Sequence, residues 1–159
     1  MRTILYAICC LAIVFSQAAC VKDSSPGPCT PKSVASEEST IVAYSSATGI
    51  NATRDSSGVY YRVDSLGTGQ APTLSSKVFV TYTARLLDGT VVDHQPIAAQ
   101  TGWQLNTLIP GWQIGLPLIK EGGGITLLVP SSLAYGCKGF GGVPPDAIIE
   151  FSIQLVDVQ

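Results

Sequence analysis

The side chains that stand out for chemistry in this sequence are aromatic and aliphatic groups bordered by turn residues. A tryptophan, Trp112, follows a Pro-Gly pair, and a tyrosine, Tyr135, is followed by a glycine. Farther along, Val143 precedes two prolines that lead into the last apolar run. Taken singly, each group is more typical of a core residue or a stiff loop than of a site. Any functional argument must therefore rest on their combination and order.

Familiar catalytic arrangements are absent from the sequence. A Ser-His-Asp triad would have to use His94, the single histidine, and no nucleophile elbow accompanies it. The three glycines at 122–124 lie between a predicted helix and a strand, with no phosphate-binding lysine after them, and so indicate a turn. No spacing of carboxylates suggests a paired acid and base. A metal site built from two cysteines and His94 is not expected either.

Length and charge narrow the class of protein. The chain has 159 residues, which fits one domain. Its formal net charge is -2 and it shows no basic patch. Because proteins that bind nucleic acid need a positive surface, we expect no nucleic-acid partner.

Residues 1–19 have the organisation of an export signal. Arg2 is the only charge, an apolar run covers residues 4–15, and small residues precede Cys20. This pattern predicts a secretory signal peptide, and the run is short for a bilayer span. Cys20 after two alanines is similar to a bacterial lipoprotein cleavage box, which implies a lipid on that cysteine. A plain signal peptide cut before a structural cysteine is the alternative. We favour lipidation, because a polar, Pro-rich tether over residues 20–35 follows at once.

The other cysteines fit an exported protein. Of the 5 cysteines, two lie in the apolar run and would be removed with it, and Cys20 is the candidate lipid site. Cys29 and Cys137 remain, and in an oxidising compartment such a pair suggests one disulfide. Two unrelated thiols are the other interpretation. The expected location is the bacterial cell envelope, lipid-anchored and facing the periplasm or the surface.

The elements that would position the aromatic groups form an antiparallel sheet with one short helix, an α+β fold. Asp88-Gly89 is a strong hairpin signal. Pro110 suits the first position of a helix, which Pro117 should bend or end early. The last strand alternates between apolar and polar residues. Aromatic and β-branched runs predict the strands, over residues 59–63, 77–86, 90–93, 125–130 and 148–156.

A further short helix is predicted within residues 36–57, which also contain a link to the main domain. Ser36 before two glutamates suits a helix N-terminus, and Gly49 suits a stop. We expect the helix to pack on the domain or to pair two copies of the chain as a homodimer. Its expected apolar side consists of Ile41, Val42 and Tyr44.

Five segments of residues 58–159, in this order, resemble the FKBP family of peptidyl-prolyl isomerases. Any one segment is a weak match, whereas five in register are specific. The resemblance implies an antiparallel β half-barrel wrapped on one short α-helix, with an apolar cleft between them. The matching segments are residues 80–83, 86–93, 108–112 and 133–136, and Pro144-Pro145 followed by Phe151.

The same resemblance implies roles for single residues. Trp112 would form the floor of the cleft, under the substrate proline ring. The Ile109 backbone N–H and the Tyr135 hydroxyl would hold substrate carbonyls. The implied catalytic set is Tyr82, Asp93, Ile109, Trp112, Tyr135 and Phe151. Further substrate-binding residues would be Val92, Trp103, Leu108, Phe140 and Val143.

The implied activity is rotation of X-Pro bonds in exported polypeptides. Amide resonance sets a barrier of roughly 18–20 kcal/mol, and a dry apolar cleft favours the twisted amide over the planar one. Neither a cofactor nor a metal is required.

Three positions depart from the family pattern. Val92 stands where the family has a phenylalanine, Thr101 stands where another aromatic residue is expected, and Phe140 replaces a frequent histidine. A chaperone-like or peptide-binding module with little turnover is therefore the alternative.

Overall fold

A computed structural model describes residues 28–159. The predicted signal peptide, residues 1–19, and the lipidation site Cys20 lie outside the described residues. Across the described part of the chain, none of the helices has the length and apolar character needed to cross a membrane.

The described residues form two α-helices and seven strands. The elements are helices α1 (Val34–Ala47) and α2 (Pro110–Gly115), and strands β1 (Thr53–Arg54), β2 (Tyr60–Ser65), β3 (Lys77–Leu86), β4 (Val91–Gln95), β5 (Trp103–Gln104), β6 (Gly124–Val129) and β7 (Ile149–Val158).

The strands form one antiparallel sheet, which confirms the predicted α+β fold class. The order is β1-β2-β6-β7-β3-β4, and the short β5 pairs with β3. The long central pair β3–β7 runs from Val78 opposite Val158 to Leu86 opposite Ile149. The turn predicted at Asp88-Gly89 links β3 to β4, with Gly89 at φ +90°. Strands β1 and β5 have two residues each, too few for an alternating pattern to predict them.

One face of the sheet carries the main core, against which α2 packs closely. A Cβ atom at Gly111 would lie 2.4 Å from Val129 Cγ1, and one at Gly115 would lie 2.6 Å from Leu127 Cδ1. The two glycines therefore let the helix backbone approach β6. The helix stops at Gly115 and tightens into a 3-10 turn, Leu116–Leu118, as the missing N–H of Pro117 predicts.

Helix α1 packs on the opposite face of the sheet. Ile41 is fully buried there with Ile50, Tyr60 and Leu128. Val42, in contrast, is 46% exposed. Its predicted place on the same apolar side was wrong, because one residue along a helix turns the side chain by about 100°.

The ends of α1 are set by two residues. Ser33 is the N-cap, and its hydroxyl accepts a hydrogen bond from Ser36 N at 3.2 Å. The predicted start at Ser36 was thus too late, since an earlier serine takes the capping position. Gly49, at φ +70°, follows the C-terminus of the helix as predicted.

A disulfide joins the segment before α1 to a late loop. Cys29 is bonded to Cys137, with a Cα–Cα distance of 5.7 Å. Cys137 lies in the 3-10 turn Gly136–Lys138, directly after Tyr135. The described chain therefore has the disulfide and not the two unrelated thiols.

Candidate active site

An aromatic cleft opens where α2 begins, between β3, β7 and the loop after β6. Its volume is about 220 Å³. Most of its wall is aromatic or aliphatic, so that it offers an apolar surface to a ligand. The lining residues are Tyr82, Trp103, Thr107, Leu108, Ile109, Trp112, Tyr135 and Phe151.

Trp112 is the buried centre of this cleft, only 4% exposed. The rings of Tyr82 and Phe151 meet it edge-on, with centroids 5.1 Å and 5.4 Å away. Trp103 is tilted against it at 6.4 Å. Edge-to-face packing of this kind fixes ring orientation as well as burying area. The indole Nε1–H has no hydrogen-bond partner among residues 28–159.

Ile109 presents the backbone at the N-terminus of α2. Its carbonyl accepts hydrogen bonds from Trp112 N at 3.0 Å and Gln113 N at 3.3 Å, which starts the helix. The Ile109 N–H donates to no acceptor within the described residues. The preceding link is held by Gln113, whose Nε2 donates to Leu108 O at 2.7 Å. Ile109 therefore offers a free donor from a fixed position.

Tyr82 and Asp93 form a polar pair beside the rings. The Tyr82 hydroxyl donates to Asp93 Oδ2 at 2.5 Å. Burial first, and then the hydrogen bond and charge of Asp93, raise the pKa of Tyr82 above its ordinary value. The phenol therefore stays protonated at neutral pH and acts as a donor to Asp93.

Tyr135 lies in the loop after β6, between the 3-10 turns Ser131–Leu133 and Gly136–Lys138. Its ring stacks on Phe140, with centroids 5.8 Å apart and planes 13° apart. Burial, followed by the charge of Asp93, raises the pKa of Tyr135. Its hydroxyl is therefore protonated at neutral pH and can donate to a ligand.

The remaining predicted site residues lie around an adjoining pocket of about 250 Å³, which shares Tyr135 with the cleft. Phe140 is 74% exposed, so apart from its stacking on Tyr135 it presents itself mainly to solvent. Neither Val92 nor Asp93 lines the aromatic cleft itself. The residues of this second pocket are Val92, Asp93, Tyr135, Phe140, Gly141, Gly142 and Val143.

Sequence reasoning missed two residues of the site. Thr107 lines the cleft, and Gln113 orders the link before α2. Neither carries a pattern that would distinguish it from a solvated polar residue.

Thr101, which stands where the family has an aromatic residue, has a structural role. Its Oγ1 accepts a hydrogen bond from Val80 N at 2.9 Å and donates to Ala98 O at 2.7 Å.

A larger groove of about 650 Å³ lies away from the aromatic cleft, between α1, the β3–β4 turn and residues 144–148. Its lining contains no aromatic side chain, so it offers no flat surface for a proline ring. Within residues 28–159 there is also no cluster of three or more His, Cys, Asp or Glu side chains that could hold a metal ion.

Comparison with known proteins identifies a family for residues 68–156. They match the model of the family described as FKBP-type peptidyl-prolyl cis-trans isomerase. FkpA of Escherichia coli K12, an FKBP-type peptidyl-prolyl cis-trans isomerase, is 40% identical over 105 residues, covering 65% of this chain and 39% of FkpA. The outer membrane protein MIP of Legionella longbeachae is 38% identical over 105 residues, covering 65% of this chain and 45% of MIP. The chain thus spans less than half the length of these curated relatives.

Solved structures give the same fold. The crystal structure of FkpA from Escherichia coli superposes with a TM-score of 0.63 at 32% identity, over 79% of this chain and 64% of that one. A peptidyl-prolyl cis-trans isomerase from Pseudomonas syringae pv. tomato gives a TM-score of 0.65 at 25% identity. That match covers 82% of this chain and 98% of the other.

Proposed function

The chain belongs to the FKBP-type peptidyl-prolyl cis-trans isomerase family, and on that premise we propose that it isomerises X-Pro bonds in exported polypeptides and so assists their folding. The observation that carries the proposal is the aromatic cleft over Trp112, with the Ile109 N–H and the Tyr135 hydroxyl beside it. Since X-Pro isomerisation takes tens of seconds or longer without a catalyst, it limits the folding of many proteins.

In this mechanism the substrate proline ring lies on Trp112, between the rings of Tyr82 and Phe151. The Ile109 N–H and the Tyr135 O–H donate to substrate carbonyls near the X-Pro bond. These contacts hold the peptide while the bond turns. No bond is broken, and no proton has to move.

The rate gain comes from the environment of the amide. The planar amide is more polar than the twisted one and is better solvated by water. A cleft that excludes water therefore loses more solvation for the planar form, and the twisted form is bound more tightly. Aromatic walls supply such an environment without ionised groups. Asp93 contributes by holding Tyr82 in its place in the wall.

The adjoining pocket would contact the rest of the substrate. Phe140 offers an exposed apolar surface next to Tyr135. Val92 and Val143 lie beside it. Because Val92 is smaller than the aromatic residue expected from the family, this pocket would bury less of a bound peptide and bind it less tightly.

The location and the division of the chain are part of the proposal. Residues 1–19 would be a signal peptide and Cys20 a lipidated anchor. The tether predicted over residues 20–35 would end at Ser33, which caps α1, and residues 58–159 after the helix and its link would be the isomerase domain. The disulfide supports an oxidising compartment. A relative named an outer membrane protein supports the cell envelope. A homodimer through α1 would use exposed residues such as Val42, because Ile41 is already buried against the sheet.

A peptide-binding module with little turnover is the second candidate function. It is favoured by the small side chain of Val92 in the adjoining pocket and by the exposed ring of Phe140. Such a module would hold proline-containing segments without accelerating rotation.

An isomerisation assay on a proline peptide separates the two candidates. The parent chain should accelerate cis-trans exchange, and Tyr135→Phe should lower kcat/KM about five- to tenfold through one lost hydrogen bond. Tyr61→Phe removes a hydroxyl from β2, outside the cleft, and should leave the rate unchanged. Peptide binding by a folded parent without acceleration would make the binding module the function.

A further inference from the structure

The N-terminal segment contacts the Tyr135 loop at two places, one on each side of that tyrosine. Before it, the Ser131 backbone N–H donates to Glu37 Oε2 at 2.8 Å. After it, Cys137 is bonded to Cys29. Both N-terminal partners precede residue 68, where the match to the family model begins. The two contacts therefore come from outside the matched region and act on a loop within it.

The Glu37 contact is a buried one. Glu37 is 3% exposed and Ser131 is fully buried. Ser131 opens a 3-10 turn whose preceding residue, Pro130, provides no side-chain cap. The carboxylate of Glu37 supplies the missing acceptor from 94 residues away in the chain. Hydrogen bonds from a backbone N–H to a carboxylate are short and strong, and losing one leaves a buried donor unpaired.

Helix α1 gives Glu37 a firm support. Ile41, one turn later, is fully buried in the core on that side of the sheet. Tyr44 then donates its hydroxyl to Glu150 Oε2 on β7 at 2.6 Å. Because α1 is fixed to the sheet at these points, the position of the Glu37 carboxylate follows from the packing of the whole domain.

The loop needs such ties, because its own backbone is permissive. Four glycines lie between residues 136 and 142, and glycine loses more conformational freedom on ordering than other residues. The turn Gly136–Lys138 follows Tyr135 directly, and the disulfide at Cys137 anchors it. Tyr135 is thus held between an anchored residue four positions before it and another two positions after it.

We propose that Glu37 and Cys29 are positioning residues that hold residues 131–138 and thereby fix the Tyr135 hydroxyl at the cleft. The expected loss of kcat/KM when these residues are changed rests on the proposed isomerase function. The expected loosening of residues 131–138 can be measured without that function. The N-terminal helix is then part of the active-site support.

The kinetic test is a double-mutant cycle in the full chain. Glu37→Ala should lower kcat/KM about five- to tenfold, as the loss of one hydrogen bond would. The same substitution in a Tyr135→Phe background should lower it little further, since the group it positions is already gone. Glu37→Gln keeps an acceptor oxygen and should recover most of the rate. Glu38→Ala is the matched control, because Glu38 contacts Arg54 and Tyr60 and not the loop.

Equal losses in both backgrounds, or no loss in Glu37→Ala, would overturn the proposal. If Glu37→Ala does not fold, the paired change Cys29→Ser with Cys137→Ser enters the same cycle. If removing the disulfide lowers kcat/KM less in the Tyr135→Phe background than in the parent, the proposal is supported. Equal losses of kcat/KM in the two backgrounds overturn it.

Amide hydrogen exchange separates this proposal from the proposed function. In Glu37→Ala, residues 131–138 should exchange faster while β3 and β7 keep their protection. Faster exchange in a chain whose parent shows no isomerase activity would refute the function and leave the positioning intact. Unchanged exchange in residues 131–138 would refute the positioning, whatever the activity.

Discussion

Tyr82 on β3 and Asp93 on β4 are joined by a hydrogen bond of 2.5 Å from the phenol hydroxyl to Oδ2. The same Tyr82 ring meets Trp112 edge-on, 5.1 Å between centroids. A polar contact on one side of the ring thus fixes an apolar wall on the other. The pair links the β3–β4 hairpin to the floor of the cleft.

Removing either partner of this pair should affect catalysis to a similar extent. Tyr82→Phe and Asp93→Ala each remove this hydrogen bond and are each expected to lower kcat/KM about three- to tenfold. The double variant should be no worse than the more affected single variant, because both remove the same contact. The measurement is the rate of peptide isomerisation. Fully additive losses would mean that the two groups act separately.

The pH profile of activity should be flat through neutrality. Burial raises the pKa of both Tyr82 and Tyr135, so their hydroxyls stay protonated up to the ordinary tyrosine value of 10.0 and beyond. We expect constant kcat/KM between about pH 6 and pH 9 and a decline only at higher pH. A loss below pH 9 that disappears in Tyr135→Phe would contradict these pKa directions.

Close packing of α2 on β6 predicts unequal costs for two alanine substitutions. A Cβ at Gly111 would press on Val129, a stiff β-branched side chain, whereas one at Gly115 would meet the flexible end of Leu127. Overpacking costs about 1–3 kcal/mol and alanine adds roughly 1 kcal/mol of helix propensity. Gly111→Ala should therefore lower the free energy of unfolding more than Gly115→Ala does in urea titrations. The reverse order would contradict the packing.

Tyr44 should make the fold sensitive to alkali. Burial, followed by the hydrogen bond and charge of Glu150, raises its pKa from 10.0 to about 12. A pKa raised by folding stabilises the fold below pH 10, and that stabilisation is lost as pH rises toward 12. The free energy of unfolding of Tyr44→Phe should thus fall less steeply over this range. If the free energy of unfolding changed with pH equally in the parent and in Tyr44→Phe, the raised pKa of Tyr44 would be contradicted.

The sequence was informative where a pattern is local. The aromatic and β-branched run of residues 77–86 predicted β3 with the bounds that the structure has, and Pro117 predicted the end of α2. It was less informative where neighbours compete, as when Ser33 takes the cap predicted for Ser36. Contacts between distant segments left no local signal. The bond from Ser131 to Glu37 spans 94 residues, and Thr107 reaches the cleft only because of the fold.

The candidate site was predicted from the family resemblance more than from its chemistry. An apolar cleft has no distinctive spacing of acids, bases or nucleophiles. The resemblance named Trp103, Trp112 and Phe151, and the structure places their rings around one cleft. It could not distinguish the cleft from the adjoining pocket, because Phe140 and Tyr135 are near neighbours in the sequence and differ greatly in exposure.

Exchange spectroscopy by nuclear magnetic resonance tests the central claim most directly. A proline peptide is mixed with a substoichiometric amount of the full chain, and the exchange between its cis and trans signals is measured. We expect clear acceleration by the parent and a large loss in Trp112→Leu, checked for folding by circular dichroism. Peptide signals that shift on binding to the parent while cis-trans exchange stays at the uncatalysed rate would contradict the account.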